Sequence, residues 1–148
     1  MDPKFSYRAV AIQGASPVKL VICLYEQAIE DLRQAVIALE KGEIEARTRK
    51  INHAIMVLGQ LQGSLDMQRG GEVARNLEHF YAMVRAGLCQ AQLKQSTTIL
   101  EQQISHLVSI YEAWLEVERI GAKPSSQSEP GASSLVASGE TSSADWSA

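Results

Sequence analysis

Apolar residues recur every three or four positions in four segments between residues 16 and 121. The first segment follows Ser16-Pro17, a helix-starting pair because Ser caps the first turn and Pro suits the first helical position. Its stripe consists of Ile22, Tyr25, Ile29, Leu32, Val36 and Leu39. Gly42 follows Lys41 and ends the pattern, since glycine takes positive φ without strain. The spacing predicts an amphipathic helix with one apolar face.

Three further helices follow with equally short breaks. Gly87 lies inside the third of them, which indicates a close approach of a neighbouring helix. The second helix is expected from Glu43 to the glycine pair Gly70-Gly71, and the third from Glu72 to the polar run 95–98. The fourth is expected to begin at Thr98 and Glu101, which have the spacing of a capping box, and to end at Gly121. The pattern predicts an all-α fold, an antiparallel up-down four-helix bundle over residues 16–121.

The two ends of the chain differ from this pattern. Residues 1–15 have no helical period and form an N-terminal arm. Nine of the 26 residues from 123 to 148 are Ser, and the large apolar residues there are Leu135, Val136 and Trp146. Such a segment buries too little surface to offset its chain entropy, so residues 122–148 are predicted to be a disordered Ser-rich tail, with Trp146 as a hypothetical docking point.

Charge and hydropathy narrow the range of functions. The formal net charge of -3 gives no basic excess for a polyanion, which argues against nucleic-acid binding. The longest apolar run, Leu20 to Tyr25, is far too short to insert into a membrane. Cys23 and Cys89 lie inside helical patterns and are interpreted as thiols of a reducing cytosol. We therefore expect a cytoplasmic protein.

The three histidines are the candidate metal ligands of the predicted bundle, since a bundle core can hold metals. The residues three positions before His53, His79 and His106 are Lys50, Asn76 and Gln103. A di-iron bundle requires Glu there, so that class is excluded. All three histidines are predicted at the rim of the bundle. A histidine phosphotransfer-like signalling bundle stays open as an alternative, although such domains usually carry Lys and Gly three and four residues after the histidine.

The start of the first helix carries more apolar surface than one face needs. Leu20, Val21 and Leu24 lie off the stripe. They predict either a wide core face or an exposed groove that accepts a partner helix. A self-associating bundle, in which this surface forms a homodimer, is a further alternative. Apolar residues of the arm, including Tyr7 and Ile12, strap the core or cover such a groove until a partner arrives.

Several short motifs occur together in a specific order. They are Tyr7, Ala15-Ser16-Pro17, Leu20, Leu24-Tyr25, Ser64-Leu65-Asp66, Gly70-Gly71-Glu72-Val73-Ala74, Asn76-Leu77, Tyr81 and Ala113-Trp114. In this set and spacing the chain resembles the FliS family of flagellin-specific export chaperones, over roughly residues 5 to 118. It departs from the usual family pattern at Glu26-Gln27, Ala91-Gln92 and Gln95-Ser96.

The resemblance implies an antiparallel helical bundle that binds the C-terminal helical segment of flagellin in the cytosol. Such a chaperone prevents premature polymerisation and delivers flagellin to the flagellar export gate, without catalysis and without a cofactor or metal. The residues that the resemblance assigns to the partner surface are Tyr7, Ile12, Pro17, Leu20, Leu24, Tyr25, Asn76, Leu77 and Tyr81. Leu20 and Leu24 are the strongest candidates because they lie off the stripe, whereas Leu77 and part of Tyr25 are expected in the core.

Overall fold

The structure, a computed structural model, describes residues 16–122 and two short pieces at 138–139 and 141–142. Its helices are α1 (Pro17–Glu40), α2 (Ile44–Gly63), α3 (Met67–Lys94) and α4 (Thr97–Ala122). Two-residue strands, β1 (Ser138–Gly139) and β2 (Thr141–Ser142), pair antiparallel with Ser138 opposite Ser142. The predicted all-α bundle is confirmed, while the arm and the rest of the tail lie outside the described residues.

Consecutive helices run antiparallel, and polar contacts fix their relative levels. Lys19 near the start of α1 pairs with Glu118 near the end of α4. Arg47 near the start of α2 donates to Gln92 near the end of α3. Each helix packs on two others, because α1 contacts α2 and α4, and α3 contacts the same two. The start of α1 and the end of α4 therefore lie at one end of the bundle.

The core is a single cluster to which all four helices contribute. Its largest fully buried apolar side chains are Tyr25, Tyr81, Leu32, Ile51, Leu58, Leu61, Leu88, Leu100 and Leu107. Alanines at positions 28, 35, 54 and 91 are also fully buried, and small side chains allow the helices to approach closely. Burial of this apolar surface is the main source of the bundle's stability.

The boundaries of α1 agree with the sequence signals. The Oγ of Ser16 accepts a hydrogen bond from the backbone N–H of Lys19 at 3.2 Å, and Pro17 occupies the first turn. At the other end Gly42 has a φ of 75°, which lies in the left-handed region that favours glycine. Local signals alone therefore define this helix at both ends.

The expected end of α2 at the glycine pair is wrong. This helix ends at Gly63, and Asp66 caps α3 by accepting hydrogen bonds from the N–H groups of Gln68 and Arg69 at 3.1 and 3.0 Å. Gly71 interrupts α3 after its first turn, with φ 53° and ψ -128°. The glycine thus breaks a helix as expected, but the helix that it breaks is the third, because the cap at Asp66 starts that helix earlier.

The junction between α3 and α4 also differs from the expected capping box. Ser96, not Thr98, caps α4, since its Oγ accepts a hydrogen bond from the N–H of Ile99 at 3.0 Å. Within α3, a Cβ built on Gly87 would overlap the side chain of Gln103 on α4. The close approach expected at Gly87 is therefore confirmed.

Candidate functional site

The face of α1 toward α2 is defined by a buried polar contact. The Nδ1 of His53 on α2 lies 2.5 Å from an Oδ of Asp31 on α1. The Nε2 of Gln27 donates to the other Oδ of Asp31 at 3.0 Å. Burial raises the pKa of the Asp31 carboxyl above its usual value, and the hydrogen bond and charge of His53 partly offset that rise. This contact fixes the position of α2 along the axis of α1.

The position of α2 along α1 shows how much of α1 it covers. The ten residues from His53 to Gly63 at the end of α2 correspond, on the antiparallel α1, to the ten residues from Asp31 back to Val21. Both helices rise about 1.5 Å per residue, so α2 ends roughly level with Val21. The first turn of α1 projects beyond α2.

Leu20 and Leu24 lie one helical turn apart and on either side of this limit. Leu20 is 39% exposed, while Leu24 is only 8% exposed and belongs to the core cluster. The expectation that both lie outside the core is therefore wrong for Leu24. The reason is that Leu24, two turns before Asp31, shares the α2-facing side of α1 and still lies within the reach of α2. Leu20 lies on the same side but past the end of α2.

The remaining predicted site residues divide in the same way. Pro17 and Asn76 are exposed. Tyr25, Leu77 and Tyr81 are buried. Tyr7 and Ile12 lie outside the described residues, as does the rest of the arm.

The two buried tyrosines join α1 to α3 across the bundle. The hydroxyl of Tyr25 donates to the hydroxyl of Tyr81 at 3.0 Å, and the ring centroids are 6.2 Å apart. Burial raises the pKa of Tyr81 to about 12 and also raises the pKa of Tyr25. Both hydroxyls therefore stay protonated at neutral pH and can donate hydrogen bonds. Both tyrosines belong to the core.

The end of the bundle where α1 begins carries exposed apolar side chains from three helices, which we call the end surface. They are Leu20 on α1, Met67 on α3, and Leu115 and Ile120 on α4. Charges on α1 and α4 are paired there, Lys19 with Glu118 at 2.8 Å and Arg119 with Glu116. The end surface therefore offers apolar contacts to a segment that crosses several helices.

Other large apolar side chains are exposed away from this end. They are Ile37, Ile44, Met56, Met83 and Leu93. Ile37, Ile44 and Leu93 lie toward the opposite end of the bundle, whereas Met56 and Met83 lie near the middles of α2 and α3. Exposed apolar side chains are common in soluble proteins, so exposure alone does not identify a site. What distinguishes Leu20 is that it follows the covered side of α1 past the end of its neighbouring helix. Leu93, at 82% exposure, provides a matched control because it lies near the end of α3, at the opposite end of the bundle.

The departures from the family pattern make hydrogen bonds between or within helices. Glu26 accepts a hydrogen bond from the hydroxyl of Tyr111 on α4 at 2.7 Å, and Gln27 donates to Asp31. Gln92 accepts from Arg47 at 3.1 Å and donates to Thr48 at 2.7 Å. Sequence reasoning did not identify the contacts of Glu26 and Gln92, because their partners lie on other helices, far away in the chain. The contact between Gln27 and Asp31 joins residues four positions apart within α1, which is an ordinary helical spacing.

Metal binding and membrane insertion concern the part of the chain that the structure describes. There, His, Cys, Asp and Glu side chains do not form a group of three or more that could hold a metal ion. Among the same residues, each helix is too short or too polar to cross a membrane.

The comparisons with known proteins agree with the motifs. The profile of the family described as "Flagellar protein FliS" matches residues 2–121. The "Flagellar secretion chaperone FliS" of Salmonella typhimurium is 32% identical over 108 residues, which is 72% of this chain and 80% of the relative. The "Flagellar secretion chaperone FliSB" of Pseudomonas aeruginosa is 32% identical over 112 residues, 73% of this chain and 89% of the relative. The "Flagellar secretion chaperone FliS" of Campylobacter jejuni is 30% identical over 120 residues, 79% of this chain and 94% of the relative. The resemblance is confirmed, and the chain belongs to the flagellar protein FliS family.

Proposed function

We propose that this protein is a cytosolic export chaperone that binds the C-terminal helical segment of flagellin. In this role it prevents premature polymerisation and delivers flagellin to the flagellar export gate. Membership of a family whose relatives are named flagellar secretion chaperones supports the proposal. The structural observation that carries it is the exposed Leu20 on the first turn of α1, which α2 leaves uncovered.

The physical chemistry of the end surface suits such a partner. A disordered amphipathic segment loses conformational entropy when it orders, so binding requires apolar contacts distributed over a large surface. Each fully buried Leu, Ile or Met side chain contributes about 1.5–3 kcal/mol. Leu20 lies on α1 and Leu115 and Ile120 lie on α4, so a segment that crosses both helices at that end gains several such anchors.

The charges predict a weak dependence of this binding on salt. Lys19 and Arg119 already have carboxylate partners on α4, and the whole chain carries a formal net charge of only -3. Salt screens interactions between exposed charges and has little effect on apolar burial. The affinity for the flagellin segment is therefore expected to change little between low and physiological salt.

The predicted site residues take two roles in this proposal. Pro17 and Asn76 are exposed and contact the partner directly, together with Leu20 and the arm residues Tyr7 and Ile12. Buried residues hold the helices that present this surface; they are Leu24, Tyr25, Leu77 and Tyr81. The role is one of binding and needs neither catalysis nor a cofactor.

A pull-down with two forms of flagellin tests the proposal. The full chain is immobilised and exposed to full-length flagellin or to flagellin that lacks its C-terminal helices. We expect a stoichiometric complex with the full-length form and a loss of binding with the truncated form. Equal capture of both forms would place the contact elsewhere on flagellin, and capture of neither would overturn the function.

A further inference from the structure

The segment that follows α4 is a candidate occupant of the end surface. Residues 123–148 follow α4 and lie beyond the family match, which ends at residue 121. The relatives from Salmonella and Pseudomonas align over 80% and 89% of their own lengths but over only 72% and 73% of this chain. The segment therefore lies outside the part of the chain that the family model matches.

The composition of this segment combines polar spacers with a few apolar anchors. Nine of its 26 residues are Ser, and its large apolar side chains are Leu135, Val136 and Trp146. A Trp and an aliphatic pair within a polar chain are suited to occupy small apolar sites, because they bury a large area at few positions. The end surface offers sites of this chemical type.

The geometry of α4 brings the start of this segment to the end surface. The contact between Lys19 and Glu118 places the last turn of α4 beside the first turn of α1. Ala122 lies four residues beyond Glu118, so α4 extends past Pro17 at the start of α1. The segment therefore begins next to Ile120 and one helix away from Leu20.

The length of the segment is sufficient for the contact. Leu135 lies 13 residues after Ala122, and a fully extended chain of that length spans at most about 45 Å. Packed helix axes are separated by about 8–10 Å, so Leu20 lies well within that reach. A short tether of this kind gives an effective concentration in the millimolar range, which makes even a weak contact populated.

We propose that residues 123–148 fold back and dock Leu135, Val136 and Trp146 on the end surface around Leu20. The docked segment is an occupant in cis of the surface that the partner uses. This regulatory consequence rests on the proposed function, because it requires flagellin to bind at the same place. The docking itself does not depend on flagellin.

Photo-crosslinking within the full chain tests the docking. Trp146→p-benzoyl-L-phenylalanine keeps an aromatic side chain and crosslinks to its neighbours on irradiation. At micromolar concentration and without flagellin, we expect intramolecular crosslinks to residues 17–21 and 115–122. Leu20→Asp should reduce their yield by more than half, whereas the matched variant Leu93→Asp, at the opposite end of the bundle, should leave it unchanged. Crosslinks that join two copies, that spread evenly over the bundle or that do not form would overturn the docking.

The competition between residues 123–148 and flagellin is tested by a separate binding measurement. Replacing the three anchors together, Leu135→Ser, Val136→Ser and Trp146→Ser, should tighten binding of the flagellin C-terminal segment at least threefold, because the apparent affinity scales with the unoccupied fraction of the surface. Ser125→Ala with Ser126→Ala and Ser128→Ala is the control and should have no effect. An unchanged affinity overturns the competition. If flagellin does not bind at all, the proposed function fails while the crosslinking result still decides the docking.

Discussion

Leu20 and Leu24 occupy the same side of α1 one turn apart, yet one is exposed and the other is part of the core. The difference comes from α2, which covers α1 from Asp31 back to about Val21 and then ends at Gly63. The covered stretch carries a buried carboxylate, small alanines and Leu24, all of which hold α1 on its neighbours. The uncovered turn carries an apolar side chain that keeps 39% of its surface in water and contributes less to the fold than Leu24. The comparison separates residues that maintain the bundle from residues that are available to a partner.

The largest contrast is expected from truncating the two leucines. Leu24→Ala removes a buried side chain and should lower the free energy of unfolding by about 3 kcal/mol. Leu20→Ala removes a side chain that is 39% exposed and should cost less, about 1 kcal/mol. Urea denaturation of both variants, followed by circular dichroism, measures the two values. Equal losses would show that the first turn of α1 is covered after all.

A smaller loss is expected from the contact that sets the level of α2. His53→Gln removes the ring that lies against Asp31 and should cost about 2 kcal/mol at pH 7, the usual range for a hydrogen bond to a charged group. The same variant of His79, which is exposed, is the control and should be neutral. Urea denaturation gives both values. A neutral His53→Gln would remove the evidence for the level of the two helices.

Asp31 makes the stability of the fold depend on pH. Because burial raises its pKa in the folded state, folding takes up protons between the usual carboxyl pKa and that raised value. The contribution of Asp31 to stability is therefore fully present below the usual pKa and is lost as pH rises through the raised one. Relative to Asp31→Asn, the wild-type chain should lose stability as pH rises from 3.5, measured by urea denaturation across that range. A constant or rising difference would contradict the burial of this carboxyl.

The smallest loss of stability among these variants of interhelical contacts is expected where α4 contacts α1. Tyr111→Phe removes the hydroxyl that donates to Glu26 and should cost about 1 kcal/mol, since the pair is only partly buried. Differential scanning calorimetry can follow the shift in melting temperature. A loss as large as that of Leu24→Ala would mean that α4, and not α2, holds α1 in place.

The sequence predicted those features that depend on neighbours in the chain. Ser16, Pro17 and Gly42 define the ends of α1, and the glycine at position 87 indicated the close approach of α4. The predicted end of α2 is wrong, because the cap formed by Asp66 acts on the following helix and leaves the glycine pair inside α3.

The candidate site was less predictable, because it depends on how two helices are placed along each other. A heptad stripe describes one apolar face, whereas α1 contacts both α2 and α4 and buries a wider one. The partner of Asp31 lies 22 residues away on another helix, and no spacing rule pairs it with His53. Without that contact, Leu20 and Leu24 are indistinguishable in the sequence.

Calorimetric titration of the flagellin C-terminal segment into three forms of the full chain tests the central claim most directly. Leu20→Asp places a charge on the uncovered turn and should weaken binding at least about tenfold, the loss expected for one apolar anchor. Leu93→Asp, on a more exposed leucine at the opposite end, should bind within twofold of wild type. Circular dichroism should show unchanged helix content for both. Equal affinities for all three forms, or a larger loss in Leu93→Asp, would contradict the account.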